Sequence, residues 1–214
     1  MLPPVTIVLP CSMSVEAYAA AGRKIEVPRP DCPDCSVPMA FWHWYSRHVR
    51  VAAEFLEISI RRARCSLCRV SHALLPSFLL LGRYDPAEVI GSVIEQVASA
   101  ESGVGPAAEK ARVPPTTARD WLRRFSARAA ELAVAFGACA IELGGALAEI
   151  TGEARRDALA AIEAAFEAAS ELPGWFELGR FGFSSCVSGG RLIAPNSISP
   201  AILIGRRRFI APVT

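Results

Sequence analysis

The chain has 214 residues, of which 52% are hydrophobic and 21% charged, with a formal net charge of +2 and a mean hydropathy of +0.30. An ordinary charged fraction with this much apolar content excludes global disorder. The longest apolar runs, 5–10 and 73–81, fall far short of the roughly 20 residues of a membrane helix. Met1-Leu2-Pro3-Pro4 is not a basic segment leading into an apolar helix, so no secretory leader is expected and a cytoplasmic location is. The near-neutral total hides three blocks. Residues 47–69 and 103–128 each carry a net +4, and residues 141–172 carry −5.

The first motif is a pair of Cys-x-x-Cys steps, Cys32-Pro-Asp-Cys35 and Cys65-Ser-Leu-Cys68, separated by 29 residues. Each step puts two sulfurs on one tight turn, and two such knuckles complete a tetrahedral shell. The separation exceeds the usual span of about 15–20 residues and leaves room for an inserted hairpin. Phe41–Tyr45 reads as an aromatic strand, and Glu57–Arg61 alternates polar and apolar into the second knuckle. The expectation is a zinc ribbon with one structural Zn²⁺ held by Cys32, Cys35, Cys65 and Cys68. A closed four-sulfur shell leaves no position for a reactive water. A redox dithiol pair and an iron–sulfur cluster are the alternatives. Cys11, Cys139 and Cys186 read as small packed residues. His43, His48 and His72 lie near the ribbon but are not needed as ligands. The 41–45 aromatics read as ribbon core, with a base-stacking platform as the alternative.

Asp85-Pro-Ala-Glu88 reads as a helix start with Asp85 as cap, followed by the stripe Val89, Ile90, Val93, Ile94 and Val97. After a loop at 100–105, Pro106–Ala111 forms a short helix. Arg112-Val113-Pro114-Pro115 forms a turn, because Pro115 forces Pro114 out of the helical region. A second helix spans Thr116–Phe125, with Ala118, Leu122 and Phe125 on its apolar face and Trp121 at the edge. This is the helix-turn-helix pattern, whose second helix enters the major groove. Thr116, Arg119 and Arg123 are then the candidates for base contacts. Arg112, Arg124, Arg128, Arg61, Arg62 and Arg64 are the candidates for phosphates.

A long helical pattern runs through Leu132, Phe136, Cys139, Leu143 and Leu147, with Gly144-Gly145 as a possible break. A second, acid-faced helix spans about Gly152–Leu172 with Leu159, Ile162, Phe166 and Leu172 on its stripe. Together they suggest a helical hairpin within 131–172 that packs either on the chain itself or on a second copy, as a homodimer. Beyond Pro173 the sequence reads as irregular, with a turn at Ser188–Leu192 and a basic run at Arg206–Arg208.

Pro28–Cys35, Arg61–Cys68, Ser71–Pro76, Thr117–Phe125 and Ser188–Leu192 together resemble an uncharacterised bacterial zinc-ribbon and helix-turn-helix family, a domain of unknown function, over most of the chain. More distantly, a ribbon followed by a helix-turn-helix is similar to the DNA-binding front end of insertion-sequence transposases. The resemblance implies zinc and DNA binding and no assigned activity. Ala111-Arg112 stands where the helix-turn-helix pattern has Leu-Gly, and Ala118 where it has a β-branched residue.

The fold class expected is α+β, a small Cys₄ ribbon followed by a mostly helical region. Its parts are 1–82 (N-terminal segment and ribbon), 83–130 (helix-turn-helix), 131–172 (helical hairpin) and 173–214 (tail). Transposase-type strand transfer needs carboxylates around two metal ions. The aspartates are 31, 34, 85, 120 and 157, and only Asp157 lies beyond the second helix. No enzyme and no small-molecule substrate are expected. The function expected is double-stranded DNA binding by a regulator or a non-catalytic transposase relative. The alternative is a protein-interaction module using the acidic hairpin.

Overall fold

The computed structural model describes residues 6–194. The inserted hairpin is present between the knuckles. Strands β2 (Ala40–Val51) and β3 (Glu54–Arg64) pair antiparallel over their whole length, with a register break between Phe41 and His43. The hairpin is longer than the 41–45 and 57–61 cores seen in the sequence. It also has unforeseen neighbours. Strand β4 (Ser71–Pro76) pairs antiparallel with β3, and strand β1 (Thr6–Leu9) pairs parallel with β4. Among the described residues these strands form one sheet in the order β1-β4-β3-β2.

Alternation of side chains across the strands gives the sheet two apolar faces. Val8, Val49, Ile58, Ile60 and Leu75 enter the main core with the helices. Ile7, Leu9, Ala63 and Leu74 point the other way and form a small second core with Met39, Cys32 and Cys65. A helix absent from the sequence reading, α1 (Val15–Ala21), follows β1. Its first turn is capped by Ser14, whose Oγ accepts from the Ala17 N–H at 3.1 Å.

The helical part comprises α2 (Ala87–Ala98), α3 (Val104–Lys110), α4 (Pro115–Ser126), α5 (Ala129–Glu142), α6 (Ala154–Ser170) and α7 (Gly179–Val187). The fold is therefore α+β. Several local expectations need correction. The N-cap of α2 is Pro86, and Asp85 instead pairs with Arg50 on the hairpin at 2.8 Å. Helix α5 stops at Glu142, ahead of Gly144 at φ 83°, and Leu147 lies exposed beyond it. Leu172 is exposed past the end of α6. Trp121 is fully buried rather than at the edge of the α4 face.

The largest correction is at α7, where the sequence reads as irregular. Phe181 through Gly190 are all buried. The helix packs on α2, α6 and β1, and the Phe181 ring lies directly over Gly91 of α2, the space a Cβ there would need. A helix surrounded by protein has no polar face, so it lacks the amphipathic period that marks surface helices. The main core runs from Val8 to Ile193 and takes side chains from the sheet and from every helix. Pro195 and Arg206–Arg208 lie outside the described residues. No helix among the described residues is long and apolar enough to cross a membrane.

Candidate metal centre

The two knuckles repeat one backbone design. The Cys32 N–H donates to Val37 O at 2.8 Å, and the Cys65 N–H donates to Val70 O at 3.0 Å. In both, the residue after the second cysteine is left-handed, Ser36 at φ 57° and Arg69 at φ 62°. These tight turns fold each Cys-x-x-Cys back on itself. Backbone N–H groups of Asp34 and Cys35 point at Cys32 Sγ, and those of Leu67 and Cys68 point at Cys65 Sγ. The hairpin closes the knuckles onto one another across its open end.

The result is a cluster of Cys32, Cys35, Cys65 and Cys68 whose sulfurs all lie within 4.8 Å of one another. Cys32 Sγ and Cys68 Sγ are 3.7 Å apart. A tetrahedral ion with metal–sulfur bonds of about 2.3 Å separates its sulfurs by about 3.8 Å, so the cage has the size of a single ion. An iron–sulfur cluster, which binds thiolates through several irons, needs a wider cage. Cys32 and Cys65 are buried in the second core, while Cys68 is exposed.

Two of the thiols are shifted in opposite directions. Burial raises Cys65, but its N–H donors, Cys68 foremost and then Leu67, outweigh burial and bring it down to about 7. Cys35 is pushed up to about 12, chiefly by the adjoining Cys68 sulfur. Thiols that share protons in this way release them when a cation takes their place. None of the other candidate ligands joins the cluster. His43 and His48 are exposed on β2, His72 is buried on β4, and Cys139 and Cys186 are buried in the helical core.

The candidate nucleic-acid residues fall into two groups. Arg61 stacks between Phe41 and Trp44, with its guanidinium carbon 4.5 and 4.6 Å from the two ring centres. Arg64 lies over Trp42 at 5.2 Å and donates Nε–H to Arg69 O at 3.1 Å. Arg62 is half-buried opposite His43. On α4, Thr116, Arg119 and Arg123 are exposed, and Arg112 is exposed on the preceding turn. Arg124 is half-buried. Asp120 gathers Arg123 and Arg124 at 2.7 Å each, and Arg83 at 3.5 Å.

Other arginines of the basic blocks are structural. Arg128, a phosphate candidate from sequence, is only 3% exposed and donates to Ala194 O at 3.2 Å. Arg47 donates to the carbonyls of Leu80 and Arg83, and Arg50 is bound to Asp85. Sequence reasoning missed Asp85 as the partner of Arg50 and Asp120 as the acid that gathers Arg83, Arg123 and Arg124. It also missed the outward position of Trp42, which no local signal predicts.

Residues 32–113 match the family described as "Domain of unknown function (DUF6431)". The match covers less than half of the 214 residues. It takes in both knuckles, the hairpin, β4, α2 and α3, and ends ahead of α4. Of the segments that carry the sequence resemblance, Thr117–Phe125 and Ser188–Leu192 lie beyond it. No curated protein and no solved structure matches the chain, so no similarity to a transposase is found.

Proposed function

We propose that the chain is a DNA-binding protein, a regulator or non-catalytic transposase relative of cytoplasmic location, with one structural zinc ion in the four-cysteine cage. In this reading α3 and α4 form a helix-turn-helix and α4 is the recognition helix. Zinc suits the site because it favours a closed tetrahedral thiolate shell, and the 3.7 Å sulfur separation agrees with its bond length. Bound there, zinc would supply folding energy and no chemistry.

The observation that carries the DNA reading is the division of α4. Ala118, Trp121, Leu122 and Phe125 are buried, while Thr116, Arg119 and Arg123 share the outer side within two turns. The turn ahead of it supports the same reading. Arg112 sits at φ 55°, its N–H donates to Glu109 O, and the Val113 N–H donates to Ala108 O. That is the Schellman closure, which normally places glycine at the position of Arg112. Departure from Leu-Gly in sequence is thus compatible with the usual backbone path. Pro114, at ψ 137°, then starts α4 in the extended cap conformation.

The test is fluorescence anisotropy of zinc-loaded protein on random duplex DNA over a salt series. Binding through phosphates gives a log–log slope of about −0.9 per contact. An Arg119→Ala/Arg123→Ala protein should lose affinity, and absence of binding at low salt overturns the proposal. A second reading, a homodimer or protein-interaction surface within 131–172, is favoured by the exposed Val134, Ile141, Leu147 and Ile150. It predicts association that is insensitive to salt.

A further inference from the structure

The metal end of the hairpin carries a surface that α4 does not account for. Trp42 falls at the register break between Phe41 and His43. A bulge of this kind turns one side chain out of the alternating pattern. Trp42 is accordingly 61% exposed, while its neighbour Phe41 packs into the second core. Phe41 therefore fills the structural need of a small ribbon for aromatic core, and Trp42 does not. A tryptophan held open to water on a short ribbon calls for a partner that uses its ring.

The charge around it identifies the partner. Asp31 and Asp34 belong to the first knuckle, but no aspartate or glutamate occurs in 36–53 or in 58–84. Arg61, Arg62, Arg64 and Arg69 lie on β3 and in the second knuckle. Arg61 has its guanidinium fixed between the rings of Phe41 and Trp44, and the Arg29 guanidinium lies 5.5 Å from the Phe41 ring centre. The Nε atoms of Arg61 and Arg62 are shielded from water and have no hydrogen-bond partner among the described residues. A guanidinium held against an aromatic ring presents its N–H groups edgewise, the arrangement that suits phosphate oxygens. On the opposite face of β3, Arg64 lies over the Trp42 ring at 5.2 Å with its Nε–H bound to Arg69 O, and Arg62 shares that face.

A flat ring offered beside guanidiniums fits a polyanion that has free ring faces of its own. In a duplex those faces are covered by stacking, so an outward tryptophan cannot use them. In a single strand they are open. We propose that the metal-proximal end of the β2–β3 hairpin binds single-stranded nucleic acid, with Trp42 stacking on a base and Arg62 and Arg64, which share one face of β3, holding the flanking phosphates. This site is additional to duplex binding by α4 and does not depend on it.

The test uses full-length, zinc-loaded protein with labelled oligothymidylate and oligouridylate of about 16 nucleotides, a site length within the range of single-strand binders. A duplex and inorganic polyphosphate serve as controls. Trp121 and Trp175 are buried, so quenching of the tryptophan emission by the oligonucleotide reports on Trp42 and Trp44. The expected results are quenching by the single strands but not by polyphosphate, and a loss of about 5- to 100-fold in affinity for Trp42→Ala. Trp42→Phe, which keeps a stacking ring, should recover most of the loss, and Arg64→Ala should flatten the salt dependence. The Arg119→Ala/Arg123→Ala protein should bind single strands as well as the parent. Comparison of the two oligonucleotides separates DNA from RNA as the natural strand. Unchanged single-strand affinity in Trp42→Ala, or polyphosphate bound as tightly as the oligonucleotides, overturns the proposal. Duplex binding without single-strand binding refutes this site and leaves the α4 reading standing. Single-strand binding without duplex binding does the reverse.

Discussion

Chelation of the metal should melt the knuckles and leave the helical core folded. The magnitudes follow from the two separate apolar cores. The second core offers Ile7, Leu9, Met39 and Leu74 as its large side chains. At about 2 kcal/mol each their burial contributes about 8 kcal/mol. Holding the segments 26–39 and 65–70 in one conformation fixes about 20 residues, at about 1 kcal/mol of backbone entropy each, or about 20 kcal/mol. The deficit of about 12 kcal/mol falls within the roughly 10–16 kcal/mol expected of a structural zinc site. Without the ion the knuckles cannot stay ordered, whereas the main core contains none of the four ligands. Amide hydrogen exchange before and after a strong chelator reads this directly. Amides of 26–39 and 65–70 should lose protection, while those of α2, α4 and α7 should keep it. Because the ligands must be deprotonated, acid should release the ion and produce the same pattern. Retained knuckle protection after complete metal removal would refute the argument, and so would loss of protection throughout the chain at once.

Arg119→Ala should weaken binding to a preferred DNA site by about 1–3 kcal/mol without lowering Tm. Arg128→Ala should instead lower stability by about 1.5–3 kcal/mol, because a charged donor to a buried carbonyl is lost. Denaturant melts paired with anisotropy separate the two effects. Gly91→Ala should destabilise by about 1–3 kcal/mol, because the new methyl meets the Phe181 ring, against a helix-propensity gain of about 1 kcal/mol. A melt in which Gly91→Ala is neutral or stabilised would show that α7 can shift away from α2. Burial raises the Asp120 carboxyl, but hydrogen bonds from Arg124 and Arg123 outweigh it and hold the pKa below its ordinary value. Its stabilising contribution is full above the ordinary carboxylate pKa and is lost as pH falls through the depressed value. Asp120→Asn should therefore flatten the acid limb of the stability profile, and it should raise duplex affinity by releasing Arg123 and Arg124.

The arginines illustrate how position divides one residue type into different roles. Arg47, Arg50, Arg83 and Arg128 donate to buried carbonyls or acids and join the hairpin, the 80–85 loop and the segment after α7 to one another. Arg112, Arg119 and Arg123 remain at the surface. The net charge of each block contains both kinds and overstates the surface available to a polyanion.

Local chemistry made much of the chain legible. Four cysteines in two Cys-x-x-Cys steps can reach a common ion whatever lies between them, so spacing alone specified the metal cage. The hairpin and the amphipathic helices were readable because a half-buried element writes its period into the sequence. Pro114-Pro115 marked the start of α4 because proline restricts the backbone of its own neighbour. Tertiary structure decided the rest. The β1–β4 pair joins Thr6–Leu9 to Ala73–Pro76, and a four-residue strand carries no signal for so distant a partner. Helix α7 lost its period because it is buried on all sides. Trp42 is exposed because of a single register break, and Asp85 left its capping position for Arg50. In each case the deciding contact lies between residues far apart in the chain, and local pattern records only what neighbouring residues impose on one another.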